Sequence, residues 1–210
     1  MQKGVKHIAI IGRRKIASLT RYLGNIMTDE VKLDYHPVDV CDERAVVALI
    51  AKLNASPQKL AGIFHLAGLL NDRTIMNLTP DDFDSSFKTK VLGSIALHHA
   101  SQDLDLDCFV MFSSIASVFG SPGQANYASA NAFMDKLAHQ RIESGLSALS
   151  INWGPFAEAG MAKEHIKQYQ QKGLNPLDWI TSFNTMDRLL ERLVCQGIIA
   201  DFNWQKVSTL

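Results

Sequence analysis

The chain has 210 residues, with 21 Lys+Arg against 21 Asp+Glu and 47% hydrophobic residues, which fits one globular domain over 1–210 and excludes disorder. Balanced charge with no run of Lys or Arg argues against a nucleic-acid partner, and no apolar stretch is long enough for a membrane span or a signal peptide. Cys41, Cys108 and Cys195 are scattered and odd in number, which excludes a disulfide framework or zinc site and points to a cytoplasmic, reducing setting.

In chain order, short apolar, partly β-branched runs predict strands at 7–11, 33–38, 62–66, 108–112, 148–153 and 198–202. Helix-length segments separate them. Positions 42–54 and 177–195 read as helices. Thr79-Pro80-Asp81-Asp82 supplies a cap, a proline at the first helical position and acidic residues in the first turn, so a helix is expected over 79–101. Another is expected over 124–143, where Ala130, Phe133, Met134 and Leu137 form an apolar stripe before Gly145. Strands alternating with helices predict a doubly wound, Rossmann-like parallel sheet of α/β class with helices on both faces.

Four residues on this frame call for a chemical explanation. Lys90 falls on the apolar stripe of its helix with Phe83, Phe87 and Leu97, where a long stem covering apolar surface is the ordinary reading. Ser114 lies two residues past a strand, at the carboxyl end where ligands bind in open parallel sheets; a turn serine is its ordinary role. Tyr127 and Asn131 are four apart near a helix start and share a face, which also suits a core tyrosine. The topology can bring all four to one crevice.

The run Phe112-Ser113-Ser114-Ile115-Ala116, followed by Gly120-Ser121-Pro122-Gly123-Gln124-Ala125-Asn126-Tyr127-Ala128-Ser129-Ala130-Asn131, closely resembles the ketoreductase domains of modular polyketide synthases, within the short-chain dehydrogenase/reductase superfamily. The resemblance continues through Lys90-Val91-Leu92-Gly93, Asn152-Trp153-Gly154-Pro155-Phe156 and Gly160-Met161-Ala162 to Asp201-Phe202-Asn203-Trp204. It implies a catalytic set of Lys90, Ser114, Tyr127 and Asn131, with the lysine upstream of the tyrosine as in the polyketide group. Ser114 would hold the carbonyl oxygen of a β-ketoacyl thioester, Tyr127 would give the proton, Lys90 would favour the phenolate, and Asn131 would align the lysine or a water. The thioester would be presented by an acyl carrier protein.

By the same resemblance, Arg13, Arg14, Asp39, Val40, Leu66, Ala67 and Gly68 are the cofactor-binding residues. Arg13 and Arg14 stand where an acidic residue would bind the ribose of NAD, and arginine suits a 2′-phosphate, so NADPH is the expected cofactor. Leu70-Asn71-Asp72 is similar to the Leu-Asp-Asp motif of the subtype giving D-configured alcohols, with Asn71 replacing the middle acid, and Phe119 stands where the opposite subtype has tryptophan. A D-hydroxy product is the expectation. No metal role is assigned to any of the seven histidines.

No G-x-G-x-x-G occurs in the chain, and only eleven residues precede Gly12, so the fold is expected to be N-terminally truncated, lacking the family's first strand and phosphate-cradling turn. Two readings stay open. In one, the chain is an NADPH-dependent reductase whose Gly-rich segment comes from a preceding polypeptide. In the other, it is a cofactor-free remnant with a structural or docking role. A seam of unpartnered strand edges is expected where that first strand would lie.

Overall fold

The computed structural model describes residues 5–13, 31–57, 59–157 and 166–207. Arg14 and the Gly160-Met161-Ala162 stretch lie outside the described residues. The chain begins with β1 (His7–Ile11) and β2 (Lys32–His36), paired in parallel, with Ala9 opposite Asp34. Helix α1 (Glu43–Asn54) follows, started by Asp42, whose Oδ1 accepts from the Ala45 N–H. Then come β3 (Gly62–His65), a 3₁₀ turn (Ile75–Asn77) and α2 (Pro80–Phe87). Thr79 and Asp82 form a reciprocal capping box on α2, as the Thr-Pro-Asp-Asp run implied.

The helix expected over 79–101 is broken. A π-helical turn (Lys88–Leu92) separates α2 from α3 (Gly93–Ser101). The wider turn inserts one residue into the helical repeat and turns both Lys90 and Val91 inward. Gly93 sits at the junction because nothing larger fits. A Cβ there would lie 2.9 Å from Val40 Cγ1 and 3.1 Å from His65 Cε1.

The remaining elements are β4 (Cys108–Ser114), the single-turn α4 (Ala116–Phe119), α5 (Ala125–Glu143), β5 (Leu149–Trp153), α6 (Ile166–Gln171), β6 (Leu174–Asn175), α7 (Trp179–Glu191), β7 (Gln196–Ile199), β8 (Asp201–Phe202) and α8 (Trp204–Val207). Strand β4 thus runs two residues beyond its predicted end and includes Ser114. The predicted last strand is two short ones, β7 in the main sheet and β8 paired antiparallel with β6.

The main sheet has the order β3-β4-β5-β7, all parallel, while β1 and β2 form a separate two-stranded sheet. Among the described residues no ladder joins the two, and β1 and β3 each have a partner on one edge only. One face of the main sheet carries Phe109, Met111, Leu97, Met134 and Leu137; the other carries Val110, Leu149, Ile151 and Met186. This is the doubly wound arrangement read from the alternation of strands and helices. Among the described residues no helix is long and apolar enough to cross a membrane.

The alternation along β5 matters for the site. Leu149, Ile151 and Trp153 belong to one core, while Ser150 and Asn152, fully buried as well, turn to α5 on the opposite side. A polar seam therefore runs between α5 and the sheet.

Candidate active site

The carboxyl end of β4 leads directly into α4, and Ser114 occupies that bend. Its Oγ accepts from the Ala116 N–H at 3.2 Å. In the first turn of α5, Tyr127 is buried, with the side chains of Ser114 and Asn131 close enough to act on its phenol. Asn131, one turn further on, has no exposed surface; its Nδ2 donates to the Tyr127 carbonyl at 2.7 Å, and its Oδ1 is buried with no partner among the described residues. A buried amide oxygen without a donor is costly, so this atom is poised to receive one.

Lys90 reaches the same place from the π turn. Only 2% exposed, its Nζ donates to the Phe112 carbonyl at 2.9 Å and lies 5.5 Å from the centre of the Tyr127 ring. The expectation that its stem covers apolar surface while the ammonium reaches water is not met: the side chain points inward along the end of β4. The structure thus brings Lys90, Ser114, Tyr127 and Asn131 together from three segments of chain.

The electrostatics refine the roles. Burial pulls the Lys90 ammonium down to about 8, with Asp135 favouring its charge. Burial pushes the Tyr127 phenol up, while the Ser114 and Asn131 hydrogen bonds pull it down; Tyr169 on α6 and Asp72 push it further up. The Ser114 and Asn131 side chains thus favour the phenolate, against the cost of burial. Near neutrality Tyr127 carries its proton, as a donor must.

Of the residues flagged for cofactor binding, all but Arg14 are described, and they lie just beyond strand ends. Arg13 is exposed just past β1, and its charge acts on the Cys41 thiol, as does that of Asp39, whose Oδ1 accepts from the Cys41 N–H at 3.0 Å. Arg13, Asp39 and Val40 are therefore neighbours. Leu66 and Ala67 are exposed beyond β3, and Gly68 is half-buried. An exposed guanidinium beside a strand end and an orphaned amide oxygen beside Tyr127 suit a phosphorylated, polar cofactor.

Several residues that hold the site were not singled out from the sequence. Asn126 is fully buried: its Nδ2 donates to the carbonyls of Asn71 and Asp82 and to Ser86 Oγ, and its Oδ1 accepts from the Tyr127 N–H. Gln124 Nε2 donates to Asp72 Oδ2 at 2.9 Å, and the Arg73 N–H donates to the Gly123 carbonyl. The Leu70-Asn71-Asp72 loop is thereby tied to the start of α5. His65, buried at the end of β3, adjoins Lys90. The four-residue spacing of Tyr127, Asn131 and Asp135 was the one signal in the sequence for Asp135.

Residues 1–158 match the family described as "KR domain". Among curated proteins, the chain is 34% identical over 194 residues to a "Putative inactive phenolphthiocerol synthesis polyketide synthase type I Pks1" of Mycobacterium tuberculosis, covering 89% of this chain and 12% of that protein. It is 35% identical over 194 residues to "Phenolphthiocerol synthesis polyketide synthase type I Pks15/1" of Mycobacterium bovis, covering 89% of this chain and 9% of that protein. Among solved structures, one described as "Structure of A-type Ketoreductases from Modular Polyketide Synthase" superposes with a TM-score of 0.91 at 32% identity, over 99% of this chain and 44% of that one. The chain therefore spans about a tenth of the length of those curated relatives and less than half of that structure.

Proposed function

This chain belongs to the KR domain family, and from that premise we propose that it carries the catalytic side of a polyketide ketoreductase, reducing a carrier-bound β-ketoacyl thioester to the β-hydroxyacyl thioester. The convergence of Lys90, Ser114, Tyr127 and Asn131 at the carboxyl end of β4 is the observation that carries this reading.

NADPH, when bound, supplies the hydride that adds to the β-carbon. Arg13 and Arg14 would take its 2′-phosphate, with Asp39, Val40, Leu66, Ala67 and Gly68 beside the rest. Ser114 donates a hydrogen bond to the substrate carbonyl oxygen. Tyr127 delivers its hydroxyl proton to that oxygen as negative charge develops there, and so leaves a β-hydroxyl group and a phenolate. Lys90 stabilises the phenolate and passes a proton back towards it, and the Asn131 oxygen steers the lysine or a water along that route. The acyl carrier protein is the proposed partner. Asp72, exposed and held by Gln124 at the start of α5, supports a D-configured product.

The test is NADPH oxidation with a β-ketoacyl thioester, assayed in the polypeptide that carries these residues. Tyr127→Phe is expected to lower kcat by about 10²-fold or more. Retention of activity within a few fold would remove Tyr127 as the proton donor. Failure of the unsubstituted polypeptide to bind NADPH would support the cofactor-free remnant instead.

A further inference from the structure

Strand β5 is covered on both faces, and strands so placed are ordinarily apolar throughout. Asn152 departs from that rule: it has no exposed surface, and the proton transfer described above gives it no part. Burying an amide costs free energy unless its donors and acceptor are met, and here they are. Gln196 Nε2 on β7 donates to Asn152 Oδ1 at 2.9 Å, which turns the Nδ2 end towards α4 and α5. Nδ2 carries two hydrogens, and its nearest acceptors are Ser117 Oγ and Asp135 Oδ2, each at 2.8 Å. Ser113 Oγ at 3.1 Å and the Ser114 carbonyl at 3.3 Å lie just beyond them.

All of these acceptors except Asp135 belong to the bend that aims Ser114. Ser114 is the last residue of β4, paired opposite Trp153 on β5, and the chain then enters the single turn α4. One turn of helix is too short to hold its own direction. Side chains take over where the ladder stops: Ser117 Oγ lies 2.8 Å from the Ser114 carbonyl oxygen, and Asn152 reaches both. Asp135 Oδ2, 2.6 Å from Ser117 Oγ, ties the pair to α5. Ser114 Oγ accepts from the Ala116 N–H of the same turn, so a displaced turn carries the hydroxyl with it.

We propose that Asn152 is a positioning residue: its side-chain amide, acting with Ser117, fixes the β4–α4 bend and with it the direction in which the Ser114 hydroxyl meets a substrate oxygen. The effect on turnover rests on the reductase reading, whereas the hold on the bend does not.

The test joins amide hydrogen exchange to kinetics in the polypeptide used for the reductase assay. Asn152→Leu keeps the size and removes the amide. It is expected to speed exchange of the Ile115, Ala116 and Phe119 amides about tenfold beyond any change in the slowest amides of β4 and α5. In the same variant kcat should fall about tenfold or more, with KM for the thioester held within about threefold. Ser150→Ala takes a partner from Asp135 but none from the bend, and should change neither. Exchange that is unmoved at these three amides, or that rises equally everywhere, overturns the proposal. So does a loosened bend with kcat intact, which would make Asn152 merely structural. Should Asn152→Leu fail to fold, half-buried Ser117→Ala carries the same expectations and the same refutations. An unsubstituted polypeptide that reduces no thioester counts against the reductase reading, and the exchange rates then still decide whether Asn152 holds the bend.

Discussion

Acid should destabilise this protein through His65 well before its surface carboxylates are all protonated. His65 is 2% exposed, its Nε2 is buried with no partner among the described residues, and Lys90 stands beside it. Burial first and the Lys90 charge second hold its imidazole down to about 4 from an ordinary 6.5, against the pull of the Thr89 and Lys90 carbonyls. The unfolded chain therefore takes up this proton more readily than the folded one. The stability tied to neutral His65 is complete above pH 6.5 and is lost as pH falls towards 4. At about 1.4 kcal/mol per unit, the loss approaches about 3 kcal/mol at the lower end, a large fraction of an ordinary folding free energy. Urea melts of the chain and of His65→Leu, compared between pH 7.5 and 4.5, isolate it because the remaining carboxylates and histidines titrate in both proteins. The difference between the two should move by about 2–3 kcal/mol in favour of His65→Leu as the pH is lowered. Parallel stability curves would refute the placement of a neutral, uncompensated imidazole against Lys90.

Asn126→Asp should cost about 3–5 kcal/mol at neutral pH, because a carboxylate would replace the amide that donates to Asn71, Asp82 and Ser86. Protonation of the new carboxyl group should ease that cost towards pH 5, so urea midpoints that do not depend on pH would contradict it. Arg141 is fully buried, its guanidinium 3.9 Å from the centre of the Phe109 ring, with its Nε donating to the Ser147 carbonyl and its Nη1 to His98 Nδ1. Arg141→Met should lose about 2–4 kcal/mol in thermal or urea melts, and Arg141→Lys should not restore it, since an ammonium cannot stack flat and donate sideways at once. A stable Arg141→Lys would show that only charge is needed there.

The elements legible in the sequence are those whose cause is local. Asp42, Thr79 and Asp178 each cap a helix within three residues of themselves, and the strands announce themselves by short apolar runs. The π turn was hidden because Phe83, Phe87, Lys90 and Leu97 fit an unbroken helix as well as a broken one; the crowding of Gly93 by Val40 and His65 comes from residues far away in sequence. The proposed catalytic set was legible through a motif, but its support was not. Ser150 and Asn152 alternate with Leu149, Ile151 and Trp153 as if one face of β5 met water, yet that face meets Asp135, 15 and 17 residues earlier in the chain. Polar residues at alternating positions indicate solvent or a buried network equally well, and only the packing of α5 decides which.

The same distinction accounts for the one departure from the Leu-Asp-Asp pattern. Asn71 Nδ2 donates to Asp82 Oδ1 at 2.8 Å and also reaches Ser85 Oγ at 3.2 Å. Hydrogen bonds from Thr79 and Asn71 hold the Asp82 carboxyl down to about 2, and Arg73 Nε approaches it at 3.4 Å. An aspartate at position 71 would set a second carboxylate against the first and remove the donor that joins the loop to α2. The amide is thus required by a neighbour eleven residues on, whereas Asp72 is exposed and accepts from Gln124, three residues before Tyr127. Replacement of the middle acid is therefore a matter of loop anchoring: Asn71 ties the loop to α2, and Asp72 ties it to the start of α5.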